Sequence, residues 1–197
     1  MGASPTRPSA VYELAYQAND YAALQTVDDH GFNRVSDPDA FDGTPMAASW
    51  EPLPMFWETE DGAFAPSDFS RVAGGGLVFS ARALEALSDL LEGRGELLEI
   101  EVVDGSDYHL FNVTHVIDAL DEERSEVAYF SDGGVMDVKR YEFRPEELEG
   151  ETLFKLSQLS HSYDHYVTDA FVERAERAEL TGFDFGRLWD RDASERV

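Results

Sequence analysis

Not one cysteine occurs among the 197 residues. That excludes disulfide staples, cysteine nucleophiles and thiolate-held zinc or iron–sulfur centres, and it fits a reducing compartment such as the cytoplasm. Positive charge is nearly as scarce. Fifteen Lys and Arg stand against 41 Asp and Glu, a formal net charge of −26, and only Lys139 and Lys155 are lysines. A chain so short of cations repels nucleic-acid phosphates and anionic lipid, because both are bound by replacing counterions with Lys and Arg. Direct nucleic-acid binding and membrane-surface binding are therefore disfavoured. No run approaches the roughly 18 consecutive apolar residues of a membrane span. No apolar segment with a small-residue cleavage site marks a secretory signal.

Apolar material is plentiful, at 43% hydrophobic and 12% aromatic. That is enough to offset the ordering entropy of a sizeable core, which an acidic disordered chain cannot do. The length suits one domain, and neither an internal repeat nor a composition break divides it. We expect a tail over residues 1–10, a single domain over 11–190 and a second tail over 191–197. The opening Met1-Gly2-Ala3-Ser4-Pro5-Thr6 formally fits an N-myristoylation pattern. Pro5 is an awkward neighbour there, and a plain tail is the simpler reading.

Periodicity then places the elements. Residues 11–16 alternate as a strand. Residues 17–73 are dense in Pro, Gly and Asp, which predicts loops with short strands, packed down by Phe41, Trp50, Phe56, Trp57, Phe64 and Phe69. Gly74-Gly75-Gly76 turns the chain into the apolar run Leu77-Val78-Phe79. Ser80 is an N-cap, and Leu84, Leu87 and Leu91 form one helix stripe ended by Gly93 and Gly95. Leu98, Ile100 and Val102 alternate with Glu99 and Glu101, and Asp104-Gly105-Ser106-Asp107 turns that strand back through residues 108–114. A second strand pair is expected at 127–130 and 135–138, with short strands at 141–143 and 153–156. Thr168 is the N-cap candidate for a helix carrying Phe171, Ala175 and Ala178 on one face. Gly182 stops that helix before the apolar segment with Phe183, Phe185, Leu188 and Trp189. The expectation is an α+β fold: one domain, a mostly antiparallel sheet and two main helices.

Catalytic motifs are weak. The glycine triplet lacks the spacing of a phosphate loop, and Ser80 lacks the glycines of a nucleophile elbow. His161 and His165 stand four apart, but Ser162 replaces the Glu of a zincin and the local sequence is strand-like, so no metal ligand is assigned. Carboxylate pairs such as Glu99 and Glu101 read as a solvated strand face. Asp28, Asp29, Asp37 and Asp39 miss the calcium-loop spacing. The sequon Asn112-Val113-Thr114 falls inside an expected strand and is set aside. What remains is acidity in bulk, in DALDEERSE (118–126) and EFRPEELEGE (142–151). A negative field of this size favours a cationic partner. Surface adaptation to high salt is an equal explanation of the charge.

Several blocks carry a resemblance. They are Phe41-Asp42-Gly43-Thr44-Pro45 with Ser49-Trp50, GGGLVFSARALEALSDLL (74–91), FNVTHVIDALDEERSEV (111–127), LFKL (153–156) and YVTDAFVERAERAELTGFDFGRLW (166–189). Together they resemble immunity-protein family eleven of bacterial polymorphic toxin systems, formerly a domain of unknown function. The resemblance covers most of the chain from about Val11 to Trp189. It implies a small cytoplasmic protein, encoded beside a toxin, that binds and neutralises it, with no catalytic residue and no cofactor. Charge adds that the toxin is basic, of nuclease type. Asp118, Asp121, Glu122, Glu123 and Glu126 are then candidate contacts, with Trp50, Phe56 and Trp57 as candidate anchors whose competing role is core packing. The alternatives are a metal-dependent hydrolase using clustered acids with His161 and His165, and an acidic protein that mimics nucleic acid. Oligomeric state stays open.

Overall fold

The structure is a computed structural model and describes residues 7–37, 39–59, 64–159 and 161–194. The formal myristoylation pattern at residues 1–6 lies outside them. In chain order the first elements are β1 (Ala10–Tyr16), β2 (Ala23–Thr26), α1 (Asp29–Ser36), β3 (Leu53–Glu58), β4 (Phe69–Arg71), β5 (Leu77–Ser80) and α2 (Ala81–Leu91). Next come β6 (Gly95–Val102), β7 (Tyr108–Val113), β8 (Val116–Ile117), β9 (Glu126–Tyr129) and β10 (Val135–Arg140). The rest are β11 (Leu153–Leu156), β12 (Tyr166–Thr168), α3 (Asp169–Arg177), β13 (Phe183–Asp190) and α4 (Arg191–Ser194).

These elements form a single α+β domain around two large sheets. One has the order β2-β3-β6-β7-β5-β4 and the other β13-β1-β12-β11-β8, while β9 and β10 form a separate two-stranded ladder. Pairing is antiparallel except between β3 and β6 and between β8 and β11.

Strands β5 and β12 are buried on both faces, which is why they read as continuous apolar runs. In β5, Leu77 and Phe79 face a first core while Val78 faces a second. In β12, Val167 faces the first core and Tyr166 a third. The first core joins the two sheets to α2 and α3. Its centre is aromatic: Phe69 of β4 stacks on Phe183 of β13 at 4.6 Å, and Phe79 and Phe171 lie 6.3 and 6.1 Å from the same ring. The second core lies under α1 and the 40–50 segment, through Val35, Phe41 and Trp50 against Leu53, Met55 and Leu98. The third packs Leu120, Val138, Phe143 and Leu148 on Phe154, Tyr166 and Trp189.

Asp68, next to β4, joins the parts. Its Oδ1 accepts from the Ser80 hydroxyl at 2.9 Å. Its Oδ2 accepts from Arg82 Nη1 at 2.7 Å, Thr181 N at 2.9 Å and the Thr181 hydroxyl at 3.0 Å. Ser80 in turn caps α2 by accepting from Ala83 N at 3.1 Å. Gly182 follows Thr181 with φ +87°, and a Cβ there would lie 2.4 Å from the Phe69 carbonyl oxygen. Only glycine permits that turn and that approach together.

The structure departs from the sequence reading in four places. Residues 29–36 form a third helix, α1, capped by Asp28 through Gly31 N at 2.7 Å, where only loops and short strands were expected. The expected strand at 141–143 reduces to one bridge between Leu120 and Phe143. Thr168 occupies the N-cap position of α3, but its hydroxyl donates to the Glu151 carbonyl at 2.8 Å and makes no cap bond. The expected tails overlap ordered chain. Ser9 N donates to Asp169 Oδ2 at 3.0 Å, Arg191 N donates to the Ser9 carbonyl, and residues 191–194 are helical. Asn112 of the sequon is fully buried.

Because four hydrogen bonds converge on one largely buried carboxylate, Asp68→Ala is expected to destabilise the domain by about 2–4 kcal/mol, since bonds to charged groups are the costly ones to remove. Urea unfolding monitored by tryptophan fluorescence measures it, with unchanged stability as the contrary result.

Candidate functional site

The acidic segment 118–126 connects β8 to β9 and is held by its own arginines. Arg144 donates to Asp118 Oδ1 at 2.6 Å and to the Leu120 carbonyl at 2.8 Å, and Gln158 Nε2 reaches the same Asp118 oxygen at 2.6 Å. The Arg144 hydrogen bond holds the Asp118 carboxyl below its ordinary range. Asp121 accepts from Arg124 N at 3.2 Å and shapes the turn. Glu122 accepts from the Tyr129 hydroxyl at 3.0 Å, and that bond raises the tyrosine's pKa. Glu123 and Glu126 are exposed.

Half-buried Glu142 draws the remaining local cations inward. Its Oε1 accepts from Arg140 Nη1 at 2.8 Å, and Arg124 Nη2 lies 3.9 Å from Oε2, which also accepts from Trp189 Nε1 at 3.2 Å. Among the described residues no basic side chain pairs with Glu122, Glu123, Glu126, Asp132 or Asp137. The region therefore presents carboxylates outward and spends its arginines on itself, with Lys139 of β10 as its exposed lysine.

The aromatic candidates lie elsewhere, on the six-stranded sheet and its second core. Trp50 donates Nε1 to the Glu99 carbonyl at 2.9 Å and carries the Arg34 guanidinium 4.5 Å from its ring. Trp57 packs edge-on to Tyr108 at 5.0 Å, and its buried Nε1 has no partner. Both tryptophans belong to the packing of the second core, and only Phe56 is exposed. The predicted contact residues thus fall into two groups on different sheets.

The histidine pair does not converge. His165 is fully buried, with Nδ1 unpartnered, whereas His161 is exposed, its Nδ1 3.4 Å from Asp39. Among the described residues no group of three His, Asp or Glu side chains gathers in a metal-binding arrangement.

A feature that no sequence motif marks lies beside His165. Lys155 of β11 is 1% exposed and donates to the Ser162 carbonyl at 2.8 Å, while Arg71 of β4 donates to the Tyr163 carbonyl. One cation from each large sheet thereby fixes the segment between β11 and β12. The signal in the sequence is a lysine inside the otherwise apolar LFKL. Burial lowers the Lys155 pKa to about 8; Arg71 pushes the same way, and Asp164 and Asp42 oppose it. Burial, with the charges of Lys155 and Arg71, drives His165 well below the usual histidine range.

Unfolded Lys155 keeps its proton to about pH 10.5, whereas the folded chain releases it near 8. Between those values unfolding takes up a proton, so raising the pH stabilises the fold. Tyr108, raised to about 12 by burial, gives the opposite slope above pH 10. Unfolding free energy from urea titrations is expected to climb by roughly 2 kcal/mol between about pH 8 and 9.5. Lys155→Met should flatten the climb. An equal climb in both proteins would show that Lys155 is not its source.

Comparison with known proteins bears on what this arrangement serves. The sequence profile described as "Immunity protein family (Imm11)" matches residues 20–190. That span covers every strand except β1, together with the acidic segment, and includes residues 20–40, which carry none of the blocks quoted above. No curated protein matches the chain. Among the described residues no helix is long and apolar enough to cross a membrane. With the profile spanning nearly the whole fold, the chain belongs to the Imm11 immunity protein family.

Proposed function

We propose that the chain neutralises a cognate toxin of a bacterial polymorphic toxin system, in the cytoplasm, by stoichiometric binding without turnover or cofactor. The toxin is basic and acts on nucleic acid. Family membership supports the immunity role. The observation that carries the finer reading is the set of outward carboxylates left without cations in a chain of net charge −26. An enzyme that cleaves nucleic acid needs Lys and Arg to bind phosphate. A surface that offers carboxylates to the same side chains competes for that site. Charge alone does not give a lasting complex. A specific interface buries about 1,200–2,000 Å² around a desolvated apolar centre, and the charged rim chiefly speeds encounter.

Co-expression with the adjacent gene tests the reading. Cells making both proteins are expected to grow, and the two should co-purify in equal amounts. Equal killing with and without this chain, or catalytic turnover by the purified protein, overturns it. The basic character of the partner has its own measurement. The association rate should fall at least about tenfold from low to high salt, while dissociation changes by less than about threefold. A salt-independent association rate contradicts a basic toxin. A large rise in melting temperature in molar KCl assigns the acidity to habitat instead.

A further inference from the structure

The β9–β10 ladder is bonded to neither large sheet and is held through Val127, Val135 and Val138 on the third core. Its far end is apolar and open. Tyr129 is 47% exposed, Phe130 54% and Met136 51%, all within eight consecutive residues. Gly133, at φ +92°, makes the turn, and Phe130 N donates to the Gly134 carbonyl at 2.8 Å. Scattered apolar side chains on a surface need no explanation, but three on one hairpin tip do. Aromatic residues and Met are the types enriched at interface centres.

Among the described residues no other stretch of eight carries three exposed large apolar side chains. Phe56 alternates with Leu53 and Met55 of β3, which face the second core, so it points to the opposite side of the sheet. Phe32 belongs to α1, which covers that second core. Carboxylates without a basic partner also stand at this end: Glu122 accepts from the Tyr129 hydroxyl, Asp132 lies in the turn and Asp137 on β10, while Arg124 and Arg140 are turned to Glu142 and Lys139 is exposed at the base of the ladder. A second copy of this chain would bring a matching set of carboxylates against these. The charge therefore selects a cationic protein surface as the occupant.

We infer that Tyr129, Phe130 and Met136 are the apolar anchor of the toxin interface, and that Glu122, Asp132 and Asp137 form its rim. This rests on the function proposed above and locates it on the molecule.

The test uses the full chain and a catalytically inactive form of the polypeptide encoded by the adjacent gene, with binding followed by biolayer interferometry. The triple variant Tyr129→Ala, Phe130→Ala, Met136→Ala should weaken Kd at least about 100-fold, the size typical of removing an anchor cluster. The control Phe32→Ala, Phe56→Ala should stay within about threefold. Should the triple variant melt early, Phe130→Arg serves in its place, since it alters one mostly exposed side chain and adds a like charge against a basic partner. The rim variant Glu122→Gln, Asp132→Asn, Asp137→Asn should lower the association rate about tenfold at low salt, with dissociation little changed. Unchanged Kd in the hairpin variants, while the unsubstituted chain binds, overturns this inference and leaves the proposed function standing. No binding by the unsubstituted chain overturns both. A dimer of the free chain that the triple variant disperses makes a second copy the occupant and also overturns the inference.

Discussion

Asp68 is the constraint on which the assembly of this domain turns. Its carboxylate receives hydrogen bonds from Ser80, Arg82 and Thr181, which belong to the start of α2 and to the turn between α3 and β13. The positive end of the α2 dipole favours a carboxylate there. By accepting the Ser80 proton, Asp68 also turns that hydroxyl's lone pair toward Ala83 N, so one acid both fixes the helix start and completes its cap. Thr181 is carried by the same turn that brings Phe183 onto Phe69. The aromatic centre of the first core and the polar hub at its edge therefore specify the same arrangement of the two sheets.

Charge is sorted by position in a way that net composition hides. The interior holds cations: Lys155 and Arg71 secure backbone carbonyls between the sheets. Around the third core Arg140 and Arg144 serve Glu142 and Asp118. What faces solvent carries more acid than base. The formal charge reflects 41 acids against 15 bases, and using several of the scarce bases as structural fasteners leaves the surplus acid to the outer surface.

Sequence periodicity located α2, β6 and β7 because their apolar spacing and turn residues agree with their final environment. Leu87 and Leu91 are buried on one helix face, and Leu98, Ile100 and Val102 on one strand face. Helix α1 was not legible, since only Gly31 and Val35 of its eight residues are buried and its cap, Asp28, stands in a run of turn formers. Residue type makes Thr168 a side-chain cap, but the carbonyl of Glu151, distant in sequence, claims its hydroxyl. Asp68 and Glu142 could not be singled out among 41 acids, because their roles depend on which partners the fold delivers. The acidic segment 118–126 was visible as composition. The exposed side chains of the neighbouring hairpin were not, since Tyr129, Phe130 and Met136 look like core residues until their burial is known.

The position of β1 has a consequence for how the protein is made. It lies between β12 and β13, with Val11 opposite Thr168 on one side and Ala10 opposite Asp190 on the other. The strand is thus the middle of a sheet whose flanking strands follow it by more than 150 residues, and such distant pairings form slowly. Through most of translation the nascent polypeptide carries an unfilled slot, so protection of the host begins only after synthesis has passed β13, and a stop codon before that strand would leave β1 paired on one side alone.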